Sequence, residues 1–301
     1  MLTINWIPTD DYYRRVLTAP TAAARQQLYL DLFVQPWQAM MGIMRQAGGP
    51  EQPDPLEGAR RWAWLLPDQV EAMASLLARL AAADAWSIGA AALRSAAARF
   101  AAYADRIPFD EVTGWLVLAD PERSNPLERG YTGAIDWLTP RLIGQFWEPS
   151  DDNLARLPGL LAHEMHHLIR RSAYPWDMRR TTVADYIVLE GTAESFAAAL
   201  FGDGVVGHYV TDRGDAELAT ARRLIGAGLH ATGFDTLRGY IFGDVLAESS
   251  GYAPLGGMPT YGGYAVGYHV VQAFMRRSGR SIEEVTFLPA DEIVAGSGYF
   301  A

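Results

Sequence analysis

The chain has 301 residues, of which 50% are hydrophobic and 20% are charged, so it can form a sizeable packed core and global disorder is excluded. Its 25 Lys and Arg residues against 35 Asp and Glu residues give a formal net charge of −10. This acidic balance argues against sequence-independent nucleic-acid binding and against docking on anionic lipid, because both need a basic face. We therefore expect neither a nucleic-acid partner nor a membrane partner.

The chain contains no cysteine, which excludes disulfides, thiol catalysis and cysteine-ligated zinc. Any transition-metal site must therefore use His, Asp or Glu. The N-terminus lacks a basic start followed by an apolar stretch, and the apolar runs are interrupted well before the roughly 18 residues of a transmembrane helix. These features predict a cytoplasmic protein without a membrane span.

The first third of the chain is rich in alanine and carries apolar residues at helical spacing. We predict helices over residues 21–44, 67–82 and 86–103. A surface loop is predicted over residues 48–55, where Gly and Pro are concentrated. None of these segments holds a group of side chains suited to chemistry, so residues 1–108 are predicted to form an N-terminal helical region.

The pattern changes after residue 108. Short apolar runs at 115–119 and 142–147 predict buried strands, and the Gly-containing segment 130–136 between them predicts an irregular loop or an edge. A helix is expected from about residue 149 to 171, kinked or restarted at Pro158-Gly159. Further helices are predicted over 182–200 and 263–277. The fold class is therefore α+β and mostly helical, with a small sheet.

The stretch His163-Glu164-Met165-His166-His167 places two histidines four residues apart. On a helix, His163 and His167 lie roughly 40° apart on one face, so both imidazoles can reach one Zn²⁺ ion. Glu164 lies beside them and suits the general base of a metallohydrolase. The alternative is satisfied core or surface histidines, but the apolar flanks predict a buried helix, where such groups need a partner. His166, on the flank of this face, is interpreted as a structural or supporting residue.

A second cluster predicts the third metal ligand. Glu190 and Glu194 share a helix face, where like charges cost a few tenths of a kcal/mol, and Gly191 in mid-helix costs about 1 kcal/mol against Ala. Two unfavourable choices within one turn indicate a functional site. We predict that Glu190 binds the metal, that Glu194 accepts the second ring N–H of His163, and that Gly191 lets this helix approach the His163 helix. The alternative is two solvated glutamates, and the alternative third ligands are Glu194, Asp185 and His208.

A late tyrosine cluster supplies the candidate oxyanion donor. Tyr261, Tyr264 and Tyr268 fall at helical spacing and are expected to share a face. Core packing with hydroxyls at a boundary is one interpretation. The other is that a tyrosine donates a hydrogen bond to the oxyanion formed during carbonyl hydrolysis, with Tyr264 as the first candidate and Tyr268 and Tyr261 next.

These motifs together resemble a known class. His163-Glu164-x-x-His167 followed by Glu190-Gly191-x-Ala193-Glu194 resembles the gluzincins, the thermolysin-like and aminopeptidase-like zinc peptidases. The chain is more similar to a family of bacterial predicted zinc-dependent proteases of unknown function. The likeness is carried by residues 160–167, residues 190–194 and the Gly-Tyr-x-x-Gly-Tyr segment at 263–268. It implies a thermolysin-like, zincin-like metallohydrolase domain over residues 109–301, with a water-filled cleft between the two motif helices.

The sequence therefore predicts a zinc-dependent metallopeptidase with Zn²⁺ as cofactor and a peptide or protein as substrate. By analogy with the class, strand 142–147 is expected to pair with an extended peptide. Three alternatives stay open: an inactive zinc-containing regulatory or peptide-binding module, a helical interaction protein with accidental histidines, and a zinc hydrolase of non-peptide amides or esters.

Overall fold

A computed structural model describes residues 2–43 and 54–301. The predicted class is confirmed, because the described residues form an α+β fold that is mostly helical and has one four-stranded sheet. Of the loop predicted over residues 48–55, residues 48–53 lie outside the described part of the chain.

The elements before residue 157 include all four strands of the sheet. These strands are β1 (Thr3–Trp6), β2 (Glu111–Leu118), β3 (Tyr131–Ile135) and β4 (Arg141–Phe146). The helices are α1 (Thr9–Leu17), α2 (Ala22–Tyr29), α3 (Gln35–Ile43), α4 (Glu57–Arg61), α5 (Val70–Ala82), α6 (Ala85–Arg99) and α7 (Asp151–Ala155). A π-helical turn (Leu30–Val34) joins α2 to α3, and 3₁₀ turns lie at Ala101–Arg106 and Pro126–Glu128.

The elements from residue 157 onward are helical. They are α8 (Leu157–Ala173), α9 (Val183–Phe201), α10 (His208–Thr211), α11 (Asp215–Gly228), α12 (Phe234–Phe242), α13 (Asp244–Ser249), α14 (Gly262–Ser278), α15 (Ile282–Val285) and α16 (Ala290–Ser297), with a 3₁₀ turn at Asp203–Val205. The helix expected from residue 149 restarts at Leu157, and the helices expected over 182–200 and 263–277 are α9 and α14.

Residues Leu2–Ala97 and Phe109–Leu161 cluster into one compact unit, and Ala98–Pro108 and Ala162–Ala301 into another. The first unit holds strand β1, which pairs with β2, as well as the predicted N-terminal helices. The predicted division between a helical region (1–108) and a metallohydrolase domain (109–301) stays a prediction.

The sheet of the first unit has the order β1-β2-β4-β3. Strands β1, β2 and β4 are parallel, and β3 runs antiparallel to β4, with Gly133 opposite Gly144. The segment predicted as a loop or edge is thus the edge strand β3. The expectation that strand 142–147 pairs with an extended peptide is wrong, because β4 already has a strand on each side.

Aromatic side chains fill the core of the first unit. Trp37, Trp64, Phe33 and Tyr29 are fully buried, and the ring centroids of Trp37 and Trp115 lie 6.0 Å apart with an interplanar angle of 78°. Edge-to-face packing of this kind adds roughly 0.5–1.5 kcal/mol per pair beyond the area buried. The N-terminal helices therefore complete the core that holds the sheet.

In the second unit, α9 is buried around most of its circumference and crosses α14 at very short range. A Cβ atom on Gly191 would lie 2.1 Å from the carbonyl oxygen of Gly267, and one on Gly267 would lie 2.1 Å from that of Ile187. The expectation that Gly191 serves the approach to the His163 helix is therefore wrong. It serves the contact with α14.

No single helix in the described part of the chain is long and apolar enough to cross a membrane. The pair Val70–Ala82 and Ala85–Arg99, bent by 59°, meets the length and composition requirements only when taken together.

The α9–α14 contact gives a stability prediction. Gly191→Ala should lower the free energy of unfolding by about 2–4 kcal/mol or prevent folding, because the added methyl meets backbone atoms that cannot move aside. Urea unfolding followed by circular dichroism measures the change. Gly204→Ala is the control, since a Cβ there meets nothing within 4 Å, and a change below about 0.5 kcal/mol is expected. Equal midpoints for the two variants would contradict the contact.

Candidate metal centre

Helix α8 carries the His-Glu-x-x-His stretch in the interior of the second unit. His163, Glu164 and His167 are all buried, and one ligand atom from each lies within 4.8 Å of the others. The two imidazole rings lie with centroids 4.5 Å apart at an interplanar angle of 89°, as expected for residues one helical turn apart. The structure therefore gathers a buried cluster that could hold a metal ion.

Helix α9 adds a carboxylate to this cluster. Glu190 Oε2 lies 3.3 Å from His163 Nε2 and 3.2 Å from His167 Nε2. With zinc bonds of about 2.0–2.1 Å at tetrahedral angles, neighbouring ligand atoms lie about 3.3–3.4 Å apart. The two distances from Glu190 Oε2 thus match the separation of neighbouring ligand atoms around one zinc ion. The alternative of two solvated glutamates is wrong, because Glu190 and Glu194 are 4% and 3% exposed.

The protonation of His163 gives an independent test of that fit. Its Nδ1 lies 2.8 Å from Glu194 Oε2, so the hydrogen bond places the proton of a neutral ring on Nδ1. The Nε2 lone pair then faces Glu190 Oε2, an electron-rich contact that requires either a second proton or a cation between the two atoms. The donor set thus fits a metal ion as well as it fits an ion pair.

The charges of the cluster are strongly coupled. Burial alone would lower the pKa of His163. The hydrogen bonds that His163 makes with Glu190 and Glu194, together with the charges of these two residues, outweigh burial and raise that pKa well above its ordinary value. Burial alone would raise the pKa of Glu190, but the two histidines outweigh it and lower that pKa to about 2. The site therefore selects for positive charge at its centre.

Glu194 is held from three sides. Besides facing His163, it accepts hydrogen bonds from the backbone N–H of Gly207 and from the hydroxyl of Tyr209, whose oxygen lies 2.8 Å from Glu194 Oε2. Its carboxylate is thus fixed by the segment that follows α9. His167 differs, because its Nδ1 is buried without a hydrogen-bond partner in the described part of the chain.

Glu164 has the environment of a proton acceptor. Burial raises the pKa of its carboxyl group above the usual value, and the two neighbouring histidines only partly offset that effect. Adjacent helical residues point about 100° apart, so Glu164 stands beside the histidine ligand atoms rather than in line with them. A raised pKa brings a carboxylate nearer to the neutral range in which general bases work.

The tyrosines of the late motif do not all share one face. Tyr264 and Tyr268 lie on α14, whereas Tyr261 precedes it in the left-handed conformation, with φ 54°. Burial first, and then the negative charges of Glu190 and Glu164, raise the pKa of Tyr264 well above 10. Tyr264 therefore keeps its hydroxyl proton, and its hydroxyl lies within electrostatic reach of Glu190 and Glu164.

The remaining predicted residues have other contacts. His166 Nε2 lies 2.9 Å from Thr286 Oγ1, and its ring packs against Phe196, so the supporting interpretation holds. Asp185 forms the capping box at the N-terminus of α9 with Thr182 and does not join the cluster. The ring of His208 packs edge-on against that of Tyr209, with centroids 5.4 Å apart.

Two residues near the cluster were missed in the sequence. Tyr186 precedes Glu190 by one helical turn, and that spacing was a usable signal; the pKa of Tyr186 is raised by burial and by the charge of Glu190. Tyr209 reaches Glu194 across 15 residues and a break in the helix. No periodic pattern encodes such a contact.

Glu194 should be essential to the stability of the cluster. In protein freed of metal with a chelator, Glu194→Ala is expected to lower the free energy of unfolding by about 3–5 kcal/mol, because it leaves the ring of His163 and two buried donors without their acceptor. Urea unfolding measures the loss. Glu248→Ala, at an exposed helical glutamate, should change it by less than about 0.5 kcal/mol. A loss as small as that of the control would show that the contacts of Glu194 are not formed.

Comparisons with known proteins identify the family of the chain. Residues 85–295 match a family model described as predicted Zn-dependent protease (DUF2268). A protein of Bacillus subtilis (strain 168), described as uncharacterized protein YjfC, is 37% identical over 196 residues, which are 65% of this chain and 64% of that relative; the chain thus spans less than two thirds of the relative's length. No solved structure matches the chain. Since the family model covers well over half of the sequence, the resemblance predicted from the motifs is confirmed, and the chain belongs to the predicted Zn-dependent protease family DUF2268.

Proposed function

We propose that the chain is a zinc metallopeptidase in which His163, His167 and Glu190 hold the ion. The observation that carries this proposal is the position of Glu190 Oε2, at 3.3 and 3.2 Å from the Nε2 atoms of the two histidines. Two histidines of one helix and a glutamate of a second form the ligand set of the gluzincins. These residues would hold the ion, which would supply Lewis-acid chemistry by lowering the pKa of a bound water molecule to about 7 and polarising the substrate carbonyl.

Glu164 is proposed as the general base. It takes a proton from the attacking water and delivers it to the leaving amine as the carbon–nitrogen bond breaks. Its burial and raised pKa support this role, because a more basic carboxylate accepts a proton more readily. Its presence beside the ligands favours a catalytic site over a zinc site that only supports the fold.

Tyr264 is proposed to donate a hydrogen bond from its hydroxyl to the oxyanion that forms when water adds to the carbonyl. Its raised pKa keeps the donor protonated throughout the working range of the site. Burial raises this pKa most, and the charges of Glu190 and Glu164 add to it, so the hydroxyl lies within electrostatic reach of a proposed metal ligand and of the proposed general base.

Glu194 is proposed to orient His163 by accepting its Nδ1–H. Tyr209 and the backbone of Gly207 hold Glu194 in turn, so the ligand ring is fixed through a chain of hydrogen bonds. A peptide or protein substrate and a cytoplasmic location stay predictions of the sequence, as does the absence of a nucleic-acid or membrane partner.

Metal content tests the ligand assignment. Wild-type protein purified without chelator should contain about one zinc per chain, and His163→Ala should lose it, because one of three protein ligands is removed. Elemental analysis of dialysed protein measures the ratio. His230→Ala, at an exposed histidine outside the cluster, should retain zinc. Equal zinc contents in His163→Ala and His230→Ala would contradict the assignment. So would the absence of zinc from both the wild type and His230→Ala after zinc is supplied.

Glu164→Gln separates metal binding from proton transfer. The variant should keep its zinc and lose about 10²–10⁴-fold in kcat on a mixture of synthetic peptides, because the amide accepts no proton from water. Mass spectrometry of the products and elemental analysis of the same sample give the two readouts. Glu248→Gln, at an exposed glutamate, should behave as the wild type. Hydrolysis at the wild-type rate in zinc-loaded Glu164→Gln protein would remove Glu164 from the mechanism.

A further inference from the structure

Helices α8 and α9 face each other turn by turn. His163 contacts Glu194, and His167, one turn later, contacts Glu190. One turn later again, Arg171 and Tyr186 interact electrostatically. The proposed metal ligands thus occupy two successive layers of an antiparallel helix pair, and a third layer continues beyond them.

A cleft of about 450 Å³ opens at this third layer. Its lining includes three arginines, Arg170, Arg171 and Arg180, together with the apolar surfaces of Trp176 and Leu189. Leu189 is the neighbour of Glu190 in the sequence, and Trp176 packs edge-on against Tyr186 at 4.9 Å between ring centroids. The cleft is therefore lined in part by residues of the two helices that carry the cluster, one helical turn beyond His167 and next to Glu190 in the sequence.

Two arginines of the cleft, Arg170 and Arg180, carry positive charge that the described residues do not neutralise through an ion pair. Arg170, 2% exposed, donates to the carbonyl oxygens of Thr286 and Leu288 at 2.8 and 3.2 Å and makes no ion pair in the described chain. Arg180 is exposed, and its guanidinium makes no ion pair within residues 2–43 and 54–301. Carbonyl oxygens satisfy hydrogen-bonding groups without cancelling a full charge.

Two aspartates line the same cleft, but both are already occupied. Asp177 accepts hydrogen bonds from the backbone N–H groups of Arg179 and Arg180. Asp185 accepts from the backbone and side chain of Thr182 in the capping box. Three positive and two negative side chains leave the cleft with an excess of one positive charge, counted over its lining residues.

The reach of the cleft matches a substrate subsite. Arg171 follows His167 by four residues, which is about 6 Å along a helix axis. An extended peptide advances about 3.3–3.6 Å per residue, so one or two peptide residues span the axial distance from His167 to Arg171. Arginine suits a carboxylate there, because its planar fork can donate two parallel hydrogen bonds.

We propose that this cleft binds a carboxylate of the substrate, one or two residues from the scissile bond, with Arg180 as its main contact and Trp176 and Leu189 as the apolar wall. The carboxylate belongs either to an Asp or Glu side chain or to the C-terminus of the peptide. This inference rests on the proposed peptidase function and adds a substrate class to it: acidic or C-terminal peptide segments.

The test uses one peptide sequence in matched forms. A peptide cleaved by the zinc-loaded full chain is first found in a positional library, and then made with Glu or Gln at each position near the cleaved bond and with a free or amidated C-terminus. The acidic form at one position should have a kcat/KM about ten- to a hundredfold higher than the neutral form, and salt should reduce that ratio. The Glu/Gln pair and the acid/amide pair separate the two sources of the carboxylate.

Variants assign the preference to the cleft. Arg180→Gln should bring the acidic-to-neutral ratio close to one, Arg180→Lys should keep part of it, and Arg180→Glu should reverse it in favour of a Lys-containing peptide. Arg179→Gln is the matched control, because Arg179 is an exposed neighbour that does not line the cleft. An unchanged ratio in Arg180→Gln, or an equal loss in Arg179→Gln, would overturn the proposal.

Binding to the Glu164→Gln variant keeps this test separate from the proposed function. Calorimetry should show tighter binding of the acidic peptide than of the neutral one, and Arg180→Gln should remove the difference. Charge-dependent binding without hydrolysis by the wild type would refute the peptidase function and leave the carboxylate site standing. Hydrolysis without any charge preference would do the reverse. Tighter binding of a phosphorylated than of a carboxylated peptide would overturn the choice of ligand.

Discussion

The contact on which the cluster depends is the convergence of two histidine nitrogens on one buried carboxylate oxygen. Glu190 is 4% exposed, and an isolated carboxylate at such a site would take up a proton rather than stay charged. The two imidazoles reverse that outcome and lower its pKa to about 2. A buried charge arrangement of this kind adds little to stability in itself, so the demand for positive charge at its centre, from a second proton on His163 or from a metal ion, is the reason to assign it a function.

The position of that oxygen is set by a helix crossing rather than by the cluster itself. Gly191 follows Glu190 directly and lets α9 meet the backbone of α14 at Gly267. The same crossing brings α14, and with it Tyr264, towards the charges of Glu190 and Glu164. One glycine therefore serves two purposes: it places a proposed ligand on α9 and a proposed hydrogen-bond donor on α14.

The sequence predicted best what helical periodicity encodes. The spacing of His163 and His167 placed both rings on one face, and the mid-helix Gly191 lies at a close helix contact. The helix predicted to contact Gly191 was wrong. Periodicity shows which helix face carries small side chains, but it does not show which other helix packs against that face. The edge strand β3 and the contact from Tyr209 to Glu194 depend on pairings distant in sequence, which no local pattern specifies. The pairing of β4 on both sides could not be read from its apolar composition for the same reason.

The antiparallel pairing of α8 and α9 explains how one short motif can organise a larger surface. Side chains spaced four residues apart on α8 contact side chains spaced four residues apart on α9. Each additional helical turn therefore adds one pair of interacting side chains. The first layer fixes a histidine ring, the second gathers donor atoms around a common centre, and the third opens to a cleft with excess positive charge. The third layer thus follows the second by one helical turn, because both layers belong to the same pair of helices. Selectivity and chemistry in this chain would then be set by one structural element, and a change in the α9–α14 crossing should alter both together.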